Sequence, residues 1–222
     1  MTNAPTRFRR PFLFFAGLSL FFFLAFAGWS VAVFQGTALS ALDLEAAEAC
    51  AAHAPNNAAL RMLMFVATSC GGVRANFMFA LGGASWMWFH HRRRFAFAWL
   101  VIACIGGLLD LGLKDAFDRE RPPIPIRDEA TVHHTNPSYP SGHAMGSVIG
   151  YGMIGFVLMQ RVKSVPRRLL IVVLLAAWVV LIGVSRVYLR AHWVSDVVGG
   201  WCLGLAYTTA CLAIYFRRPS TV

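Results

Sequence analysis

Two apolar runs, 169–184 and 197–215, flank the polar stretch SRVYLRAHWVSD at 185–196, and this arrangement sharply limits what the chain can become. Read as one straight helix, 169–215 would run about 70 Å at about 1.5 Å per residue, against a hydrocarbon thickness of about 30 Å. The chain must therefore turn within 185–196. The turn holds Arg186, Arg190, His192 and Asp196, residues that are costly in lipid and usually functional when held near it. His192 and Asp196 are one helical turn apart, so on a helix they share a face and the carboxylate can orient the imidazole. A neutral, oriented imidazole beside a fixed guanidinium is a nucleophile next to an anion clamp. That combination points to phosphoryl chemistry.

The rest of the chain repeats the pattern, and its 58% hydrophobic content leaves no room for an ordinary soluble domain. Arg7, Arg9 and Arg10 precede an apolar run at 12–34. A secretory signal's apolar region spans only about 7–15 residues, so this run predicts an uncleaved first span. Further spans are expected at 74–91, 95–114, 143–160, 168–187 and 194–215. The expected fold is all-α, a single polytopic membrane domain over 1–222 with six transmembrane helices. The second span closes on the aromatic Trp86–His91 and is followed by Arg92-Arg93-Arg94. Gly200-x-x-x-Gly204 predicts close packing of the last helix. Residues 36–59 are mixed and acidic (Asp43, Glu45, Glu48) and end in the turn-like Pro55-Asn56-Asn57. Residues 60–73 lie at the interface or begin the second span early. No internal repeat or broken helix is evident.

A formal net charge of +10 would suggest nucleic acid in a soluble protein. Here the basic residues flank spans, and no nucleic-acid partner is expected. Those at 7–10, 92–94, 161–168 and 217–218 make up twelve of the twenty and share one side of a six-span topology, which holds none of the ten acidic residues. The positive-inside rule then puts both termini in the cytoplasm, in a bacterial inner membrane. Lys114, Arg121, His143, Arg186, His192 and Asp196 fall together at the outer, periplasmic end. Of the five cysteines, Cys104, Cys202 and Cys211 lie in apolar runs, while Cys50 and Cys70 are a candidate external pair.

Other segments bring further chemistry to the same end. Lys114 and Arg121 bracket six residues, and Pro122 stiffens the exit; snorkelling at a membrane edge is the plainer account of either cation alone. In Pro140-Ser141-Gly142-His143, Gly142 lets backbone approach a ligand, and a helix start offers N–H groups to an anion. A proline-glycine turn entering a helix would look the same. Asp110 lies one turn deeper than Lys114 and is its candidate partner. His133-His134 lacks companion ligands, so no metal site is expected.

Together these pieces resemble the type 2 phosphatidic acid phosphatase family, whose signature has three blocks. Lys114-x6-Arg121-Pro122 is similar to the first, Pro140-Ser141-Gly142-His143 to the second, and Ser185-Arg186-x5-His192-x3-Asp196 to the third. The resemblance implies a metal- and cofactor-independent lipid phosphatase acting on a phosphomonoester or pyrophosphate. Its catalytic residues would be His192 as nucleophile, Asp196 holding its tautomer, and His143 as proton donor to the leaving oxygen. Lys114, Arg121, Ser141, Gly142 and Arg186 would bind the phosphoryl oxygens. The expected partners are membrane lipids and a lipid phosphate: phosphatidate, phosphatidylglycerol phosphate, a polyprenyl pyrophosphate or a lipid A-type phosphate. No oligomeric state is implied. A phosphotransferase using the same intermediate, and a non-catalytic lipid-phosphate or anion transporter, are the alternatives.

Overall fold

The computed structural model describes residues 6–53, 57–122 and 137–217. Eight helices account for nearly all of them: α1 (Thr6–Gln35), α2 (Thr37–His53), α3 (Ala58–Gly71), α4 (Val73–Phe89), α5 (Arg93–Phe117), α6 (Gly142–Arg161), α7 (Val165–Tyr188) and α8 (Val194–Arg217). Five are individually long and apolar enough to cross a membrane: α5, α6, α7, α8 and the Pro11–Gln35 part of α1. Their outer faces show Phe14, Leu20 and Phe21 on α1, Leu108 and Leu111 on α5, and Leu169, Leu170 and Val173 on α7. Such surfaces suit hydrocarbon, where helices satisfy their own backbone groups. The protein is an all-helical integral membrane protein.

The second span departs from expectation. α4 has only 17 residues, and α3 and α4 qualify as one crossing only as a pair bent by 53°. The expectation that no helix is broken is therefore corrected, and residues 60–73 form most of the first half of the broken span. The break falls at Gly71-Gly72, where Gly72 is extended at φ −66° and ψ 161°. At Gly71 a β-carbon would run into Ile182 of α7, so only glycine lets the two helices approach this closely. Asn76 stabilises the bend: its Nδ2 donates to the Gly71 carbonyl at 2.9 Å. The Asn76 amide lies where β-carbons at Gly146 and Gly150 of α6 would sit, 2.7 Å away.

Residues 36–59 hold α2, which ends before residues 54–56, outside the described set. Asn57 of the expected turn caps α3, its Oδ1 accepting the Leu60 N–H at 2.9 Å. Cys50 and Cys70 are free thiols. His133 and His134 lie outside the described residues.

α1 packs along α8, with Ser19 Oγ donating to the Ala206 carbonyl and Trp29 Nε1 to that of Ser195, each at 2.9 Å. α8 meets α6 through the expected glycine pair. A β-carbon at Gly200 would lie 2.6 Å from the Ser141 carbonyl oxygen, and one at Gly204 would lie 3.0 Å from that of Met145. Tyr139, fully buried, shares a hydrogen bond with Ser30 at 2.7 Å and packs against Phe26, Phe34 and Phe117. This aromatic cluster locks the chain entering α6 against α1 and α5.

Because the atom facing Gly200 is backbone, overpacking there cannot be relieved by a side-chain rotation. Gly200→Ala is expected to lower thermal stability in detergent by about 1–3 kcal/mol. Gly107→Ala, where no atom lies within 4 Å of the added carbon, should leave the melting temperature near wild type.

Candidate active site

The end of the bundle that collects the motif residues is built from helix termini. α7 ends in a tight turn in which Leu189 N–H donates to the Ser185 carbonyl at 2.9 Å. The Arg186 carbonyl accepts the N–H groups of Ala191 at 3.0 Å and His192 at 3.3 Å. Arg190 takes the left-handed conformation (φ 55°) that reverses the chain. Four residues later, at Val194, α8 begins, with Asp196 in its first turn. The sequence-based turn inside 185–196 is the observed one.

His192 is 3% exposed and held by its two ring nitrogens. Nδ1 lies 3.4 Å from Asp196 Oδ2, and Nε2 lies 3.4 Å from Arg121 Nη1. Both distances are long for hydrogen bonds. The imidazole thus presents one nitrogen to a carboxylate and the other to a guanidinium. Arg121 is fixed by the Ala191 carbonyl at 2.6 Å and the Pro137 carbonyl at 3.2 Å. Burial lowers the pKa of its guanidinium, and the Asp196 and Asp110 carboxylates oppose that shift.

Asp196, fully buried, is enclosed by donors. Its Oδ2 accepts the Trp193 N–H at 3.0 Å, Oδ1 accepts from Arg119 Nη1, and its backbone carbonyl accepts the Ser141 N–H at 3.0 Å. That last bond ties the start of α6 to the start of α8. Ser141 is the N-cap of α6 but spends no side-chain hydrogen bond on capping. Its buried Oγ has no partner among the described residues. Lys114 donates to Asp110 Oδ2 at 2.7 Å, and a β-carbon at Gly142 would lie 2.5 Å from that same oxygen. Asp110 therefore links Lys114 to the Ser141-Gly142 corner.

Arg186 is 6% exposed and donates to Thr68 Oγ1 at 2.6 Å, while its Nε has no partner among the described residues. His143 lies at the helix break: a β-carbon at Gly72 would sit 3.4 Å from its Nε2. Five motif residues, Arg121, Ser141, Gly142, His192 and Asp196, are joined by direct contacts or through one residue. Lys114 joins them through Asp110. Arg186 and His143 approach from the side of the broken span.

Several residues at this end were not anticipated. Arg119 bridges two carboxylates, donating to Asp196 and, from Nη2, to Asp43 Oδ2 at 2.8 Å. Asp43 on α2 also accepts from the Ser195 N–H at 2.9 Å and from its hydroxyl. Ser138 Oγ donates to the Glu120 carbonyl at 3.0 Å. Arg119 carried one faint signal, its place two residues before Arg121 on an extended stretch. Asp43 and Thr68 carried none, because their partners lie 76 to 152 residues away in sequence.

Known proteins of related sequence and fold place the chain in a family. The chain is 33% identical over 120 residues to phosphatidylglycerophosphatase B of Bacillus subtilis, covering 54% of this chain and 57% of that one. It is 31% identical over 140 residues to glucose-6-phosphatase catalytic subunit 1 of Haplochromis nubilus, covering 53% and 40%. The chain thus spans about half the length of these curated relatives. A crystal structure of a transmembrane PAP2-type phosphatidylglycerolphosphate phosphatase from Bacillus subtilis superposes with a TM-score of 0.76 at 23% identity, over 92% of this chain and 99% of that one, and shows the same fold. The family model described as the PAP2 superfamily matches residues 95–220, which include the whole signature, and the chain belongs to that superfamily.

Proposed function

We propose that this protein is a membrane-embedded phosphatase that hydrolyses a phosphomonoester or pyrophosphate on a lipid head group through a phosphohistidine. The observation that carries the proposal is the placement of the His192 ring between Asp196 and Arg121. Asp196 Oδ2 would hold the proton on Nδ1, and a phosphate that draws Arg121 onto its own oxygens would turn the Nε2 lone pair toward phosphorus beside a fixed cation. As the Nε2–phosphorus bond forms, the bond to the leaving oxygen breaks and His143 supplies that oxygen with a proton. Water then attacks the phosphohistidine, giving its proton to His143, and phosphate leaves. The unpartnered buried groups Ser141 Oγ and Arg186 Nε suit a ligand rich in acceptor oxygens. With Lys114, Arg121 and the N–H groups at the start of α6, they supply the charge that a dianionic phosphoryl group needs.

The named relatives support a phosphate-ester substrate, and the place of the site at the end of apolar membrane-spanning helices favours a lipid one. The broken span removes one sequence argument against a transporter, but a transporter would not need an imidazole oriented for attack. A phosphotransferase shares every step up to the intermediate and differs only in the acceptor. We also assign the motif end to the outer side of a bacterial inner membrane, with both termini cytoplasmic, on the distribution of basic residues.

A phosphate-release screen of purified protein in detergent, against phosphatidate, phosphatidylglycerol phosphate, undecaprenyl pyrophosphate and lipid A phosphates, should show turnover of at least one. Since Lys and Arg side chains supply the positive charge, EDTA should leave that activity intact and orthovanadate should inhibit it. Loss in EDTA with recovery on adding a divalent ion would falsify the metal-free mechanism.

His192→Ala should abolish turnover of every substrate. His143→Ala should lose roughly 10²–10⁴-fold on a phospholipid and clearly less on p-nitrophenyl phosphate, whose phenolate leaves without a proton. Equal losses on both compounds would show that His143 binds phosphate rather than protonating the leaving group.

Orientation is checked with Glu120→Cys, an exposed position, in a variant lacking the five native cysteines. A membrane-impermeant maleimide should label it in cells with a permeabilised outer membrane. Labelling seen only after inner-membrane lysis reverses the topology.

A further inference from the structure

Asp196 has two carboxylate oxygens, and only Oδ2 faces His192. Oδ1 is occupied by Arg119 Nη1, which also donates to Ser195 Oγ at 2.7 Å. Through Nη2 the same guanidinium reaches Asp43, a carboxylate 3% exposed that arrives from α2. Asp43 in turn takes both the N–H and the hydroxyl of Ser195. The guanidinium lies 5.8 Å from the centre of the Trp193 ring, and the Trp193 indole donates to the Glu120 carbonyl at 2.9 Å. Burying two carboxylates without a cation between them would be strongly unfavourable. With Arg119 in place, the planar fork fixes the angle at which each carboxylate lies.

We propose that Arg119 and Asp43 are positioning residues for the His192–Asp196 pair. They act on the imidazole only through Asp196, holding Oδ1 so that Oδ2 stays aligned with Nδ1. Asp43 lies outside residues 95–220, so this chain draws part of its site support from a segment that the family match does not cover. Arg119 and Asp43 meet Asp196, Ser195 and each other. Arg121, two positions on, faces the opposite ring nitrogen and belongs to the phosphate side.

The inference rests on the phosphatase function proposed above, and the test keeps the two apart. Kinetics would be measured for Arg119→Ala, Asp43→Asn, Asp196→Asn and the double variant Arg119→Ala/Asp196→Asn. The substrate is whichever of p-nitrophenyl phosphate and the four lipid phosphates wild type turns over fastest. Asp196→Asn should lose roughly 10³–10⁴-fold in kcat, the scale of a histidine that loses its orienting carboxylate. Arg119→Ala and Asp43→Asn should each lose about 10–100-fold in kcat, as outer partners of functional side chains typically do, with KM within about twofold. In the double variant, removing Arg119 should add less than about twofold to the loss from Asp196→Asn, because the route through which it acts is already gone. Free guanidinium at millimolar concentration should restore part of the Arg119→Ala rate and none of the double variant's.

Losses that multiply in the double variant, or a raised KM at unchanged kcat in Arg119→Ala, would make Arg119 a phosphate ligand and overturn the proposal. Wild-type kcat in Asp43→Asn would overturn it as well. Should Arg119→Ala fail to fold, the near-isosteric Asp43→Asn decides alone, by the same split of kcat from KM. A silent Asp196→Asn, or a wild type that releases phosphate from none of the substrates, fails the phosphatase assignment instead.

Discussion

The approach of α6 to α8 is the contact on which the rest of the site depends. Gly200 and Gly204 let the two backbones come close enough for the Ser141 N–H to reach the Asp196 carbonyl at 3.0 Å. Packing between apolar helices in a membrane gains little from excluding lipid, so small residues and close backbone contact supply the association. Here that general mechanism also sets function. The start of α6 and the start of α8 face one another at one end of the bundle, with His143 in the first turn of α6 and His192 in the turn that precedes α8.

The broken span completes the wall from the other side. An unbroken second helix would carry its backbone past His143 without stopping. The Gly71-Gly72 break instead places Gly72 against His143 and Thr68 against Arg186. Asn76 holds the bend by taking up the loosened Gly71 carbonyl while resting in a groove left by two glycines of α6. A half-buried polar side chain is thus used as a hinge pin, and its partner is a carbonyl at the break.

The spans and the motif residues were legible in the sequence because both signals are local. An apolar run near twenty residues reads as a helix whatever it packs against, and Arg186, His192 and Asp196 declare themselves by being ionisable at its end. The placement of Lys114 beside Asp110 was likewise visible from helical spacing. The break at Gly71-Gly72 was not, since paired glycines occur in α4 as well, at Gly82-Gly83, without breaking it. What distinguishes the first pair is Ile182, more than a hundred residues on. Asp43 escaped for the same reason: nothing near it reveals that an arginine after α5 will meet it. Sequence showed the ionisable groups at the helix ends and hid their distant partners.

The stretch from Asp118 to Pro122 carries two arginines to opposite ends of the His192–Asp196 pair: Arg119 to the far oxygen of Asp196, Arg121 to the far nitrogen of His192. Between them, the Glu120 carbonyl accepts from both Ser138 and Trp193. The segment therefore works like a gauge block whose spacing is set by one intervening residue. Gaining or losing a single residue between the arginines would misalign both ends at once.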